Sequence, residues 1–245
     1  MHDTLARLVL SPILIAQALR VRRTAQSLPE AAGPRQGTTG TGSKLRLRII
    51  GDSSAAGVGV TTQDDALAGQ LALALASDFS VEWHLDALIG ATTHSTYTRL
   101  ETAHALPSDI VVIALGVNDV TRLIPRHTWV KQQHRLFDRI NTLYAPKRIY
   151  LSGVPPLEHF PLLPNPLRWT LGRHAKKLET ALLSSLKTNP DICYRPFAVE
   201  PRSDLMASDG FHPSAILYRL WAKEMASRII SDWPHLSTGA GPRPA

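Results

Sequence analysis

Four kinds of side chain and a glycine, set on four separate turns, make one reaction available to this chain. Ser53 follows Gly51 and Asp52 directly after an apolar run, and Asp209 and His212 stand three apart in Ser208-Asp209-Gly210-Phe211-His212-Pro213. Asn118 lies in Gly116-Val117-Asn118-Asp119, and Gly90 sits in Ile89-Gly90-Ala91-Thr92-Thr93. An imidazole with one ring nitrogen held by a carboxylate can take a serine proton on the other nitrogen and later return it to a leaving group. Free histidine titrates at about 6.5, so both steps are accessible near neutral pH. Acyl transfer also needs donors for the oxygen that turns negative in the tetrahedral intermediate, each worth on the order of 3 kcal/mol. The backbone amides of Ser53 and Gly90 and the side-chain amide of Asn118 are the candidate donors. Ser53 is the candidate nucleophile, His212 the base and Asp209 the group that orients it.

Such distant residues meet only if the fold brings their turns together. Leu45, Leu47 and Ile49 alternate with Arg46 and Arg48, and Ile50 extends the run to Gly51, where a tight bend meets no Cβ penalty. Residues 81 to 88 read as a second strand, and the β-branched run from Asp109 to Leu115 as a central parallel strand buried on both faces. A fourth strand is expected over 148 to 152 and a short one over 192 to 195. Helices are expected between them, over about 125 to 144 and 167 to 186, and a last one from near Pro213. Residues 153 to 166 are rich in proline and carry Phe160, Leu162 and Leu163, which reads as an apolar loop over the sheet edge and a border of the acyl pocket. Five βα-type units imply a doubly wound α/β fold with a parallel sheet of about five strands. All the strand carboxyl ends then lie along one edge, and the four turns converge there.

Singly, each turn has an ordinary explanation: a turn glycine, a capping pair, a loop before a helix. Together, each supplies the residue type that one reaction requires. At this point the chain resembles the SGNH hydrolase, or GDSL esterase/lipase, family. Gly51, Asp52 and Ser53 match its first block, Gly90 the second, Gly116, Asn118 and Asp119 the third, and Asp209 and His212 the fifth, over roughly residues 45 to 231. The resemblance implies a flavodoxin-like three-layer α/β/α fold, a catalytic triad of Ser53, Asp209 and His212, and an oxyanion hole of Ser53, Gly90 and Asn118. One position departs from the pattern. Ser54 stands where leucine is common, which makes it the second candidate nucleophile.

Charge and composition narrow the partners. The net charge is +7, but residues 1 to 48 hold eight Lys/Arg against two Asp/Glu, and residues 49 to 245 nineteen against eighteen. The part that carries the candidate catalytic residues is nearly neutral, so a nucleic-acid partner is not expected. The single Cys193 excludes an intramolecular disulfide. Residues 1 to 28 are apolar and basic, 29 to 44 read as a linker, 45 to 233 as the hydrolase domain and 234 to 245 as a disordered tail. The first segment is too interrupted to span a bilayer or to serve as a signal peptide. It is expected either to lie on an anionic membrane through Leu5, Leu8, Val9, Ile15, Ala16 and Leu19 with Arg20, Arg22 and Arg23, or to fold back on the domain, with Pro12 kinking it.

The leading reading is a cytoplasmic serine hydrolase of small-molecule carboxylic esters, peripheral to a membrane if the first segment binds one, and using no metal or organic cofactor. Acyl chain, alcohol and oligomeric state stay open. Two other readings remain at this stage. One is a metal-dependent phosphoesterase with Asp52, Asn118, Asp119, Asp209 and His212 as ligands. The other is a non-catalytic membrane-surface adaptor.

Overall fold

The computed structural model describes residues 2 to 187 and 189 to 237, the first eight of these as backbone alone. Its centre is a six-stranded sheet in the order β1-β3-β2-β4-β5-β6. These strands are β1 (Gln36–Thr39), β2 (Ser43–Gly51), β3 (Phe79–Ala87), β4 (Ile110–Ala114), β5 (Arg148–Ser152) and β6 (Ile192–Arg195). Five are parallel and β1 alone runs antiparallel, on the outer edge of β3. The sheet therefore has six strands rather than five.

The sixth strand corrects the linker reading of residues 29 to 44. Gly37 lies flat against Trp83, where a Cβ would come within 3.0 Å of the indole nitrogen. Arg35 donates to Ala87 O at 2.8 Å, and Ala31 is buried against the domain. Glycine and threonine gave the segment a linker's composition, yet an edge strand needs only backbone pairing on one side.

Helices cover both faces. On one, α2 (Leu67–Leu75) packs beside α7 (Ala215–Ser237). Leu67, Leu71 and Leu75 of α2 join Leu45, Leu47 and Ile49 of β2 in one core cluster, each at most 1% exposed. Full burial of such a side chain is worth about 2 kcal/mol. On the other face, α3 (Thr93–Glu101), α5 (Arg126–Tyr144) and α6 (Leu167–Leu186) cover Ile50, Val111, Ile113 and Ile149 with Trp129, Phe137, Ile140 and Leu178. Arg48, on an apparently polar position of β2, is buried too: its guanidinium lies 4.3 Å over the Tyr144 ring.

The ends depart further from expectation. α7 begins at Ala215 rather than Pro213 and runs through residues 234 to 237, while residues 238 to 245 of the expected tail lie outside the described residues. α1 (His2–Thr24) carries Pro12 within a continuous helix and packs on α6. Leu14 and Val21 face the core, and Gln17 ties the contact, donating to Asn165 O at 2.6 Å and accepting from the Leu167 amide at 3.0 Å. Ile15, Ala16 and Leu19 are exposed, and the side chains of Leu5, Leu8 and Val9 lie outside the described residues. Among the described residues no helix is long and apolar enough to cross a membrane.

Candidate active site

β2 ends at Gly51, where a Cβ would lie 2.3 Å from Ala55 Cβ and 2.7 Å from Ala114 O. Only glycine lets the strand turn this closely under the end of β4. The chain then folds back in tight turns, with Ala56 N donating to Asp52 O at 2.9 Å and Val58 N to Ser53 O at 3.0 Å. Tyr218 of α7 fixes the far end through a 2.8 Å bond to Val58 O. Ser53 is thus held on a rigid bend at the carboxyl edge of the sheet.

The loop before α7 brings the other two groups. Asp209 Oδ1 accepts the amides of Phe211 and His212, each at 2.9 Å, and Oδ2 meets His212 Nδ1 at 2.5 Å. His212 Nε2 then lies 2.9 Å from Ser53 Oγ. Residues 159 positions apart form one continuous relay of hydroxyl, imidazole and carboxylate. Burial pushes the Asp209 carboxyl up, and the hydrogen bonds from the His212 ring and the two amides outweigh it, so the group titrates below its usual range. It is an anion at neutral pH, placed to hold the ring with Nδ1 protonated and Nε2 free to accept.

Asn118 and Gly90 join the same edge. Asn118 lies in the first turn of α4 (Val117–Thr121), and its Nδ2 donates to Ala91 O at 3.0 Å and to Asp52 Oδ2 at 3.3 Å. Gly90 has φ +76°, and a Cβ there would meet nothing within 4 Å, so the backbone conformation rather than crowding demands glycine. Arg122 Nη2 holds the Gly90 carbonyl at 3.1 Å. The amides of Ser53 and Gly90 have no hydrogen-bond acceptor among the described residues.

Asp119 does something that sequence reading did not assign to it. Fully buried, it accepts from the Thr93 hydroxyl at 2.9 Å and the Thr93 amide at 3.1 Å. Thr93 Oγ1 in turn accepts from Trp129 Nε1 at 3.2 Å and Gln133 Nε2 at 3.1 Å. This knot locks the start of α3, three residues past Gly90, to the helix that carries Asn118. Only its proximity to Asn118 in the third block could have pointed to it. Asp52 is similar: its Oδ1 accepts the Ser54 amide at 3.0 Å, and burial raises its carboxyl to about 6. Ser54 sits beside the site, but it is Ser53 whose hydroxyl meets the imidazole.

The carboxylates proposed for a metal are committed elsewhere, Asp119 to Thr93 and Asp209 to His212 and two amides. Among the described residues no group of three or more His, Cys, Asp or Glu is arranged to hold a metal ion. A narrow crevice opens beside Ser53, with room of about 40 Å³, between Asn118, Phe160, Phe197, Met206, Phe211 and Trp221. Phe160 and Leu163 of the 153 to 166 loop are buried rather than exposed, because Phe160 packs edge-on against Phe211 at 5.2 Å and Leu162 N bonds to Gly210 O at 3.1 Å.

A doubly wound sheet with these blocks in this order along its carboxyl edge is the architecture of the SGNH ester hydrolases. The model of the GDSL-like Lipase/Acylhydrolase family matches residues 49–220, and the chain belongs to that family. Solved structures of the same fold include the psychrotrophic esterase EstA from Pseudoalteromonas sp., at 18% identity and TM-score 0.58, covering 78% of this chain and 98% of that one. The carbohydrate acetylesterase Est24 from Sinorhizobium meliloti shares 19% identity at TM-score 0.56, covering 76% of this chain and 99% of its own. The acetylxylan esterase Axe2 from Geobacillus stearothermophilus does so at 19% and 0.55, with 77% and 95% covered. Among curated proteins no significant match is found. The protein is an SGNH-type ester hydrolase acting on a small-molecule ester.

Proposed function

We propose that the protein cleaves carboxylic esters through an acyl-enzyme on Ser53, with His212 as general base and acid and Asp209 as its orienting anion. The observation that carries this reading is the unbroken relay, 2.9 Å from Ser53 Oγ to His212 Nε2 and 2.5 Å from Nδ1 to Asp209. Ser53 Oγ bonds to the carbonyl carbon as its proton passes to Nε2. The C–O bond to the alcohol then breaks, and Nε2 returns the proton to the departing oxygen. Water attacks the acyl carbon, gives its proton to Nε2, and the acid leaves as Ser53 regains its hydrogen. The amides of Ser53 and Gly90 and the Asn118 side chain stabilise the oxyanion. The 3.3 Å contact of Asn118 with Asp52 is long, so a developing oxyanion is the better acceptor for that hydrogen. Ser53→Ala should abolish hydrolysis of 4-nitrophenyl acetate while leaving the melting curve unchanged. Activity within tenfold of wild type would sink the assignment.

The exposed face of α1 supports a peripheral role as well. Ile13 and Leu19 are about half exposed beside Arg20 and Arg23, a combination suited to an anionic lipid surface on the cytoplasmic side. Co-sedimentation with anionic vesicles that weakens with salt tests it, and no binding at low salt contradicts it.

A further inference from the structure

Two spaces meet at the catalytic edge, and they differ in size and in which catalytic group they touch. The crevice of about 40 Å³ is walled by Ser53 and Asn118, and His212 is not part of its wall. It has room for roughly three water-sized bodies. Adjoining it across Asn118 and Phe211 lies a groove of about 800 Å³ whose wall includes His212 but not Ser53. That volume is in the range that holds a whole organic ligand.

The groove is largely a product of the N-terminal helix. Leu14, Ile15 and Val21 of α1 form one side, facing Leu123, Leu163 and Leu171 on the other. Two polar ties hold α1 and the residues just after it in place over the groove: the Gln17 pair of bonds at the start of α6, and, two residues past the end of α1, a 3.1 Å bond from Ser208 Oγ to Gln26 Oε1, which reaches the catalytic loop itself. Leu123 has φ 55°, a left-handed conformation that leucine rarely adopts, and it remains 52% exposed. Ile15 is 60% exposed. Strain and exposed apolar surface together, beside a catalytic base, mark a place built for an apolar occupant.

Reaction geometry decides which half of an ester goes where. The proton that His212 returns must reach the leaving oxygen, so the alcohol half lies on the imidazole side and the acyl half on the other. Resting on the acyl-enzyme mechanism above, we infer that the substrate is a short-acyl ester, of acetyl size, of a long apolar alcohol. The acyl group fills the crevice and the alcohol's hydrocarbon chain lies in the groove under α1. The 153 to 166 loop then serves both halves: Phe160 limits the acyl group and Leu163 lines the alcohol's path.

Two constitutional isomers test this without any difference in carbon number: dodecyl acetate, with a short acyl group on a long alcohol, and ethyl dodecanoate, with the reverse. Each is assayed on the full chain by kcat/KM, beside 4-nitrophenyl acetate as a measure of Ser53-dependent hydrolysis. The expected result is that dodecyl acetate is cleaved at least tenfold more efficiently than its isomer. It should also be cleaved more efficiently than an acetylated xylo-oligosaccharide, whose polar alcohol the leucine-lined groove does not suit. In Ala18→Trp, which places an indole in the groove from α1, the ratio of dodecyl acetate to ethyl acetate cleavage should fall by about tenfold. Equal or reversed rates for the isomers, preference for the sugar ester, or an unchanged ratio in Ala18→Trp overturns the inference while cleavage of 4-nitrophenyl acetate leaves the mechanism standing. If 4-nitrophenyl acetate is not cleaved either, the mechanism falls and the inference with it.

Discussion

Asp209→Asn changes a single atom and should disable the site in a way its geometry specifies. The two carboxylate oxygens have different work: Oδ1 accepts two backbone amides at 2.9 Å, and Oδ2 faces His212 Nδ1 at 2.5 Å. The amide of asparagine offers one acceptor and one donor, and the two backbone N–H groups accept only the arrangement with its oxygen on the Oδ1 side. The NH2 group is then forced toward Nδ1, which must become an acceptor, so the ring proton moves to Nε2 and points at Ser53. A base with its proton already in place cannot take another. A tautomer fixed in this way costs about 10⁴-fold in kcat, or about 5 kcal/mol of transition-state stabilisation. Ionised Asp209 also contributes stability above its unfolded pKa, a contribution that falls away as pH drops through its lowered folded pKa. The variant lacks that term at neutral pH but keeps both amide bonds, so it should fold. Steady-state hydrolysis of 4-nitrophenyl acetate at pH 7.5 by enzyme of verified circular dichroism gives the answer. A loss under tenfold would refute the orienting role.

Other perturbations separate the remaining parts. Asn118→Ala should lower kcat by about a hundredfold with little change in KM, by loss of one oxyanion donor, and a change confined to KM would assign Asn118 to ground-state binding instead. Asp52 has a folded pKa raised from 3.8 to about 6, so it contributes stability that is full below pH 3.8 and lost as pH rises through about 6. Wild-type stability measured against Asp52→Asn should therefore decline by up to about 3 kcal/mol between pH 4 and pH 7 in urea titrations, and a flat difference would contradict it. Asp232 accepts from Arg148 at 3.1 Å, Tyr150 at 2.9 Å and Arg228 at 2.9 Å under α7. Asp232→Ala should destabilise the fold by about 3 to 5 kcal/mol by stranding the buried Arg148, and a loss under 1 kcal/mol in urea would show that water reaches the pocket.

The parts of this fold that could be read from sequence are those whose signal is local. The run Ile110 to Ala114 announces a buried parallel strand by its β-branched residues; Ser53 and Asn118 announce themselves by chemistry and by their places just past β2 and β4, and Asp209 and His212 by chemistry and by their spacing in the loop before α7. What escaped depends on partners far away in the chain. β1 forms because β3 offers a free edge, a fact absent from Gln36-Gly37-Thr38-Thr39 itself. Arg48 is polar by type yet buried, because Tyr144 supplies a ring face to receive it. Which face of α1 turns inward is hidden for the same reason: folding back on the domain is one of two readings the sequence allows, and Gln17 looks like a solvent residue until Asn165 and Leu167 are placed opposite it. Asp119 looked like a capping residue, and only the knot of Thr93, Trp129 and Gln133 shows what it holds.

The most direct test of the account is covalent labelling of the nucleophile. A fluorophosphonate reacts with a serine activated by a neighbouring base, and peptide mass spectrometry reports which serine carries the phosphonyl group. The account predicts one label per chain, on Ser53, with ester hydrolysis falling in proportion to labelling and no labelling of Asp209→Asn on the same timescale. Label on Ser54 instead, or full hydrolytic activity in protein whose Ser53 is completely modified, would contradict it.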